Sequence, residues 1–261
     1  LTAAALPSRI GGVEVTVVGC GLPVTVYAHG LGGSAVETRP LAVRAPGTRV
    51  LLTFRCHGAS DAIEGGWTYD DLADDLLQVA DAFDATRAVG LSLGAGVLLR
   101  VLSRCPDRFD RIAFVLPATL DEVRDDHATA RLLRLGDALV AGDEEHVRRM
   151  LLEEVPRQVR DRGGVRILVD RRAKQMLGST PPYPREAAAP LADLTALALV
   201  AAPALVIAQR DDPLHPAAVA TQLATGLPDA DLLVLEPGGV FWTETRRAQD
   251  ALATHLALES P

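Results

Sequence analysis

The chain has 261 residues, 48% of them hydrophobic and 23% charged, a composition that buries a sizeable core and differs from that of disordered chains. The net charge of −8, without any cluster of Lys or Arg, argues against nucleic acid or an anionic membrane as the main partner. No stretch approaches the ~18 consecutive apolar residues of a membrane span.

Lys174 is the only lysine and asparagine is absent, the usage of a GC-rich bacterial genome. Cys20, Cys56 and Cys105 are far apart and odd in number, without CxxC or metal-ligand spacing, which fits a reduced compartment. The first residues, LTAAALPSRI, have neither a basic n-region nor an apolar run of signal length, so a soluble cytoplasmic protein is expected.

Short runs rich in Val, Leu and Ile predict strands at 13–18, 24–29, 49–54, 85–91, 111–116, 204–209 and 231–236. The first two, joined by GCGLP, are expected to pair as an antiparallel edge. Between 69 and 84, Leu72, Leu76, Val79 and Phe83 recur at three- and four-residue intervals, which predicts a helix with one apolar stripe. Apolar strands alternating with helices mean an α/β fold, with a mostly parallel central sheet covered on both faces. The alternation breaks between about 118 and 200. That stretch holds charged helical patterns such as EEHVRRMLLEEV (144–155), then a Pro-rich turn segment, STPPYPREAAAP (179–190). Residues 1–117 and 201–261 are therefore expected to form the core, and 118–200 an inserted helical cap.

Chemistry in open parallel sheets gathers at the carboxyl ends of the strands, and four segments fall there. The sequence GLSLG (90–94) lies between a strand and a helical run. Its small residues suit a sharp, strained turn that exposes Ser92, and it lacks the P-loop Lys and the third Gly of a dinucleotide fingerprint. HGLGGS (29–34) supplies glycines that free backbone N–H groups, and the Leu31 and Leu93 N–H groups are the natural donors of an oxyanion hole. In FRCHGAS (54–60) His57 is expected to pin its loop, and His29 to be a hydrogen-bonded structural residue. QRDDPLHP (209–216) offers acids at a strand end. Asp212 is preferred to Asp211 for its spacing to Pro216, and Asp121 is a weaker candidate.

Taken in this order, the HG loop, the R-x-HG-x-S loop, the elbow and D-x-x-x-P resemble the α/β-hydrolase superfamily over the whole chain outside the insert. The resemblance implies Ser92 as nucleophile and Asp212 as triad acid, in the order Ser, Asp, His. It also implies a histidine after the last strand, about 25–30 residues beyond the acid. That place reads LEPGGVFWTE (235–244), with glycines at 238 and 239 followed by Val240, and valine accepts no proton.

Three readings stay open. His215, three residues past Asp212, stands in as the base; or the protein is a cofactor-free lyase, cyclase or isomerase on the same fold; or it binds a ligand without turnover, as plant gibberellin receptors of related fold do. The leading expectation is a hydrolase-like enzyme acting on a small, largely apolar ester, lactone or related carbonyl compound. Its pocket is lined by His29, Gly30, Val240, Phe241 and Trp242, with Val240 facing Ser92. No cofactor or metal is implied, since no His, Cys or Asp cluster has ligand spacing. His127 and His146, in the insert, and His255, near the end, are expected to be solvated.

Overall fold

The computed structural model describes residues 8–123, 127–177 and 188–258. In chain order the elements are β1 (Arg9–Ile10), β2 (Val13–Val18), β3 (Val24–Ala28), α1 (Ala35–Ala42), β4 (Thr48–Thr53), α2 (Tyr69–Ala82), β5 (Arg87–Leu91), α3 (Leu93–Arg104) and β6 (Arg111–Val115). There follow α4 (His127–Ala141), α5 (Glu144–Glu154), α6 (Gly163–Leu177), β7 (Ala204–Gln209), α7 (Ala217–Gly226), β8 (Ala230–Leu235) and α8 (Thr245–Ala257).

The strands form one sheet in the order β1-β2-β4-β3-β5-β6-β7-β8. From β4 to β8 every neighbouring pair is parallel, while β1 with β2 and β2 with β4 are antiparallel. The expected pairing of β2 with β3 is wrong. Both edges of β3 are taken by parallel partners, β4 and β5, and β2 joins the far side of β4. The five residues between β2 and β3 need only cross one strand, about 10 Å at the usual strand spacing. A short connection therefore did not demand a hairpin.

Side-chain alternation explains why the strands read as continuous apolar runs. Val26, Ala28, Val50, Leu52, Ala88, Ile112, Phe114, Val206 and Ala208 point into one apolar layer beneath α2, α3 and α7. Tyr27, Leu51, Val89, Ala113, Val115, Leu205 and Ile207 point into the other, beneath α1 and α8. Period-2 alternation across a sheet covered on both faces leaves no polar side to mark it. In α2, Leu72, Leu76 and Val79 are buried as the periodicity predicts, and Thr68 and Asp71 close a capping box at its start.

Between β6 and β7, α4, α5 and α6 share a third apolar cluster built on Leu135, Val147, Met150, Leu151, Val165, Val169, Ala173 and Met176. Most of the Pro-rich segment at 179–190, and the side chain of His127, lie outside the described residues. His255 is not solvated. It is 8% exposed on the buried face of α8, and its Nε2 lies 2.9 Å from the Ile112 carbonyl. Two residues from the end of its helix, its imidazole still meets the sheet because Ala248, Leu252 and Leu256 draw that face inward. Among the described residues, no helix is long and apolar enough to cross a membrane.

Candidate active site

Ser92 lies between β5 and α3 with φ 50° and ψ −108°, in a region that costs a non-glycine residue of order 1–3 kcal/mol. Its neighbours show why both flanks are glycine. A Cβ at Gly90 would stand 2.4 Å from the Gly94 carbonyl oxygen, and one at Gly94 would stand 2.4 Å from the Ala28 carbonyl oxygen. The strained serine is held by its N–H donating to Val115 O (2.9 Å) and its carbonyl accepting from the Ala95 and Gly96 N–H groups.

The Ser92 Oγ lies 2.9 Å from His215 Nε2, and the other ring nitrogen, Nδ1, lies 2.9 Å from Asp212 Oδ2. With Nδ1–H donating to a carboxylate, Nε2 is the lone-pair nitrogen that faces the hydroxyl. The acid and the imidazole sit on one turn after β7. Asp212 Oδ1 accepts the Leu214 N–H (2.9 Å) and the His215 N–H (3.1 Å), so the carboxylate organises the turn that presents its own partner. Pro213 and Pro216 bracket the histidine and restrict that turn further. Burial alone would raise the Asp212 pKa, but hydrogen bonds from the His215 ring, Gln209 and the His215 backbone outweigh it and hold the carboxyl below its usual value. The other two acids are elsewhere: Asp211 is exposed with φ 53°, and Asp121 is partly buried after β6.

Val240 is fully buried in the apolar layer that contains Leu91, Leu116, Leu235 and Leu252. Its backbone reaches the acid by one bridge. The Val240 N–H donates to Gln209 Oε1 (3.3 Å), and Gln209 Nε2–H donates to Asp212 Oδ2 (2.7 Å). Gln209 was missed in the sequence, although a single polar residue ending the apolar run ALVIAQ was the available signal. Phe241 packs partly buried against the same layer, while Trp242 packs against the cluster of the inserted helices.

The loop after β3 presents two successive peptide planes beside Ser92. A Cβ at Gly30 would be 3.4 Å from the serine Cβ. In the first plane the His29 carbonyl accepts the Gly94 N–H (3.0 Å) and the Gly30 N–H donates to Glu37 Oε2 (2.9 Å). In the second, the Gly30 carbonyl accepts the His29 Nδ1–H (2.7 Å) and the Gly33 N–H (3.0 Å). Because a trans peptide directs its N–H opposite its C=O, anchoring the Gly30 carbonyl sets the direction of the Leu31 N–H. Leu93, the first residue of α3, has an N–H with no acceptor in its own helix.

His29 and His57 are both buried. The His29 Nε2 accepts the Phe54 N–H (3.0 Å), and its ring meets that of His57 edge-on with centroids 5.0 Å apart. His57 Nδ1 donates to the Arg55 carbonyl (3.0 Å), and Arg55 is itself clamped by Asp75 of α2 through its Nε (2.6 Å) and its backbone N–H (3.0 Å). Burial pushes the His29 pKa down to about 4 and that of His57 down to about 3. Both are neutral in the fold, and the unfolded chain takes up protons that the fold refuses. Stability is therefore expected to fall as pH drops from about 6.5 toward 4, with a slope of up to ~1.4 kcal/mol per pH unit for each histidine. Urea midpoints at pH 7 and 4.5 check this, and His57→Gln should make the slope shallower. A flat stability across that window would contradict it.

Among the described residues no group of three or more His, Cys, Asp or Glu side chains could hold a metal ion. Residues 25–254 match the alpha/beta hydrolase family. The chain belongs to that family. It is an enzyme of the α/β-hydrolase fold, with the sheet order, the elbow serine and the strand-end loops described above. Its curated relative in Mycobacterium phage D29, named "Putative non-heme haloperoxidase", is 35% identical over 101 residues, a stretch that spans 37% of this chain and 36% of that protein. Among solved structures, a "putative non-heme bromoperoxidase" of Mycobacterium tuberculosis superposes with a TM-score of 0.79 at 20% identity, covering 95% of this chain and 97% of the other. An enol-lactonase of Burkholderia xenovorans superposes with a TM-score of 0.78 at 18% identity, covering 95% and 98%. At these identities the structural likeness speaks to the fold.

Proposed function

We propose that the protein is a serine hydrolase of small, largely apolar esters or lactones, with Ser92 as nucleophile, His215 as base and Asp212 as the acid that orients it. The observation that carries this reading is the unbroken hydrogen-bond chain from Ser92 Oγ through both His215 nitrogens to Asp212. In this account Oγ attacks the substrate carbonyl while Nε2 takes its proton. The tetrahedral oxyanion is met by the Leu31 and Leu93 N–H groups. The imidazolium then protonates the leaving alkoxide, which departs as alcohol or, from a lactone, stays attached to the acyl group. Water, deprotonated by the same nitrogen, attacks the acyl-enzyme and releases the acid with Ser92 restored. No cofactor enters these steps.

Residues 118–200 form the cap in this reading, with α4, α5 and α6 over the site and a small molecule as its substrate. The enol-lactonase that shares this fold supports carbonyl chemistry of this general class. Short-chain nitrophenyl esters and simple lactones are the test substrates, with Ser92→Ala as control. Turnover of at least one of them that is lost in Ser92→Ala is the expected result. Tight binding of such compounds without turnover would favour the ligand-binding reading, and consumption without hydrolysis products would favour a lyase or isomerase.

A further inference from the structure

The inserted helices reach the loop beside Ser92 through one face of α6. Arg172, Gln175 and Met176 are three and four residues apart and share that face. Arg172 Nη2 pairs with Glu37 Oε1 (3.0 Å), Gln175 Nε2–H donates to the Ser34 hydroxyl, and Met176 Cε occupies the space where a Cβ at Gly32 would lie, 2.5 Å away. Gly32, Ser34 and Glu37 all belong to the loop after β3 or to the first turn of α1. The other carboxylate oxygen of Glu37 accepts the Gly30 N–H. Glu37 thus stands between the insert and the first of the two peptide planes that lead to Leu31.

We propose that Glu37 and Arg172 are positioning residues for the oxyanion-binding loop, so that α6 controls transition-state stabilisation as well as covering the pocket. The inference rests on the serine-hydrolase reading. Two of the four polar groups in the two peptide planes are held from within the core, by three hydrogen bonds: the His29 carbonyl by Gly94, and the Gly30 carbonyl by His29 and Gly33. The Leu31 N–H is the one left for the oxyanion. The fourth anchor, at the Gly30 N–H, is the Glu37 carboxylate, and this is the one the insert can influence. Its side chain is 16% exposed and that of Arg172 41%, so the pair is sheltered from water on one side only. An exposed ion pair would contribute little. A half-sheltered one, whose carboxylate also holds a backbone N–H, fixes a direction. Misaiming one oxyanion donor affects the transition state far more than the ground state, because the donor is aimed at charge that develops only on attack.

The test compares Glu37→Ala, Glu37→Gln, Arg172→Met and Glu37→Ala/Arg172→Met with the full-length protein, using nitrophenyl acetate and a trifluoromethyl ketone that forms a tetrahedral adduct on serine. Urea midpoints identify the variants that remain folded. Glu37→Ala is expected to lower kcat at least tenfold with KM within threefold, and to weaken inhibition by the ketone by the same factor as kcat/KM. Glu37→Gln keeps an acceptor for the Gly30 N–H and recovers most of that loss. Arg172→Met lowers kcat threefold or more alone and adds nothing in the Glu37→Ala background, since it acts through Glu37. A folded Glu37→Ala whose kcat and ketone inhibition stay within twofold of the parent overturns the proposal, as does an Arg172→Met loss that is undiminished in the double variant. Should Glu37→Ala fail to fold, Arg172→Met and Glu37→Gln carry the test, and parental values in both overturn it. A parent that neither turns over the ester nor binds the ketone removes the serine-hydrolase reading itself, a failure distinct from unaffected variants of an active parent.

Discussion

His215→Ala is expected to lower kcat on a nitrophenyl ester by about 10⁴–10⁶ while leaving the protein folded. The ring is partly exposed and makes its two ring bonds within the site, to Ser92 and Asp212, so its removal leaves no apolar cavity and no buried partner beyond Asp212. That carboxylate keeps Gln209 and two backbone N–H groups, which is why the turn should survive the loss. Without the base, the hydroxyl must lose its proton to water, and only the oxyanion donors and binding remain. Those alone are worth ~10³–10⁴ over the uncatalysed reaction, so a residual rate above buffer is part of the expected result. Steady-state kinetics with a urea midpoint for the variant checks both halves. A folded variant with activity within tenfold of the parent would mean that another group takes the proton.

Val240→His is expected to destabilise the protein by about 2–4 kcal/mol without raising esterase activity. The position follows two glycines after the last strand, as the family's histidine does, yet its side chain is fully buried in an apolar layer. A larger ring there overpacks the layer, at a typical cost of ~1–3 kcal/mol, and buries polar nitrogens that need partners, at ~1–3 kcal/mol more by mutational experience. The proton-accepting position at Ser92 Oγ is already filled by His215 at 2.9 Å. A urea midpoint and kcat for nitrophenyl acetate read the two effects. A rise in kcat of tenfold or more, in a protein of unchanged stability, would mean that the loop at 238–242 still presents a base better than the turn after β7 does.

The frame of the fold was legible because each strand is a run of apolar residues bounded by turn formers, and α2 repeats at three and four residues. The strand order at the sheet edge was not. Nothing in GCGLP distinguishes a hairpin from a step across one strand, since either fits five residues, and the choice is made by β4 competing for both neighbours. GLSLG announced the elbow, because only glycine fits where the Gly94 and Ala28 carbonyl oxygens come within 2.4 Å of a Cβ. His215 could be named because it was the histidine nearest the preferred acid, but its distance to Ser92 depends on how the turn at 211–216 folds back over the sheet. Gln209 and Glu37 each join a near neighbour, Asp212 and Gly30, to a distant residue, Val240 at 31 positions and Arg172 at 135, and spacing along the chain carries no signal for the distant partner. His255 was misjudged for the same reason. A histidine near a terminus looks solvated until the helix that carries it is seen to pack on the sheet.

The central claim is that His215 activates Ser92, and the rate of covalent labelling by a fluorophosphonate tests it most directly, because the reaction needs the nucleophile and its base and no particular substrate. Intact-protein mass spectrometry with peptide mapping should find one adduct per chain, on Ser92. The rate in His215→Ala should be at least 10³-fold slower than in the parent, and Ser92→Ala should give no adduct. Labelling of His215→Ala at the parental rate, or an adduct on a residue other than Ser92, would contradict the account.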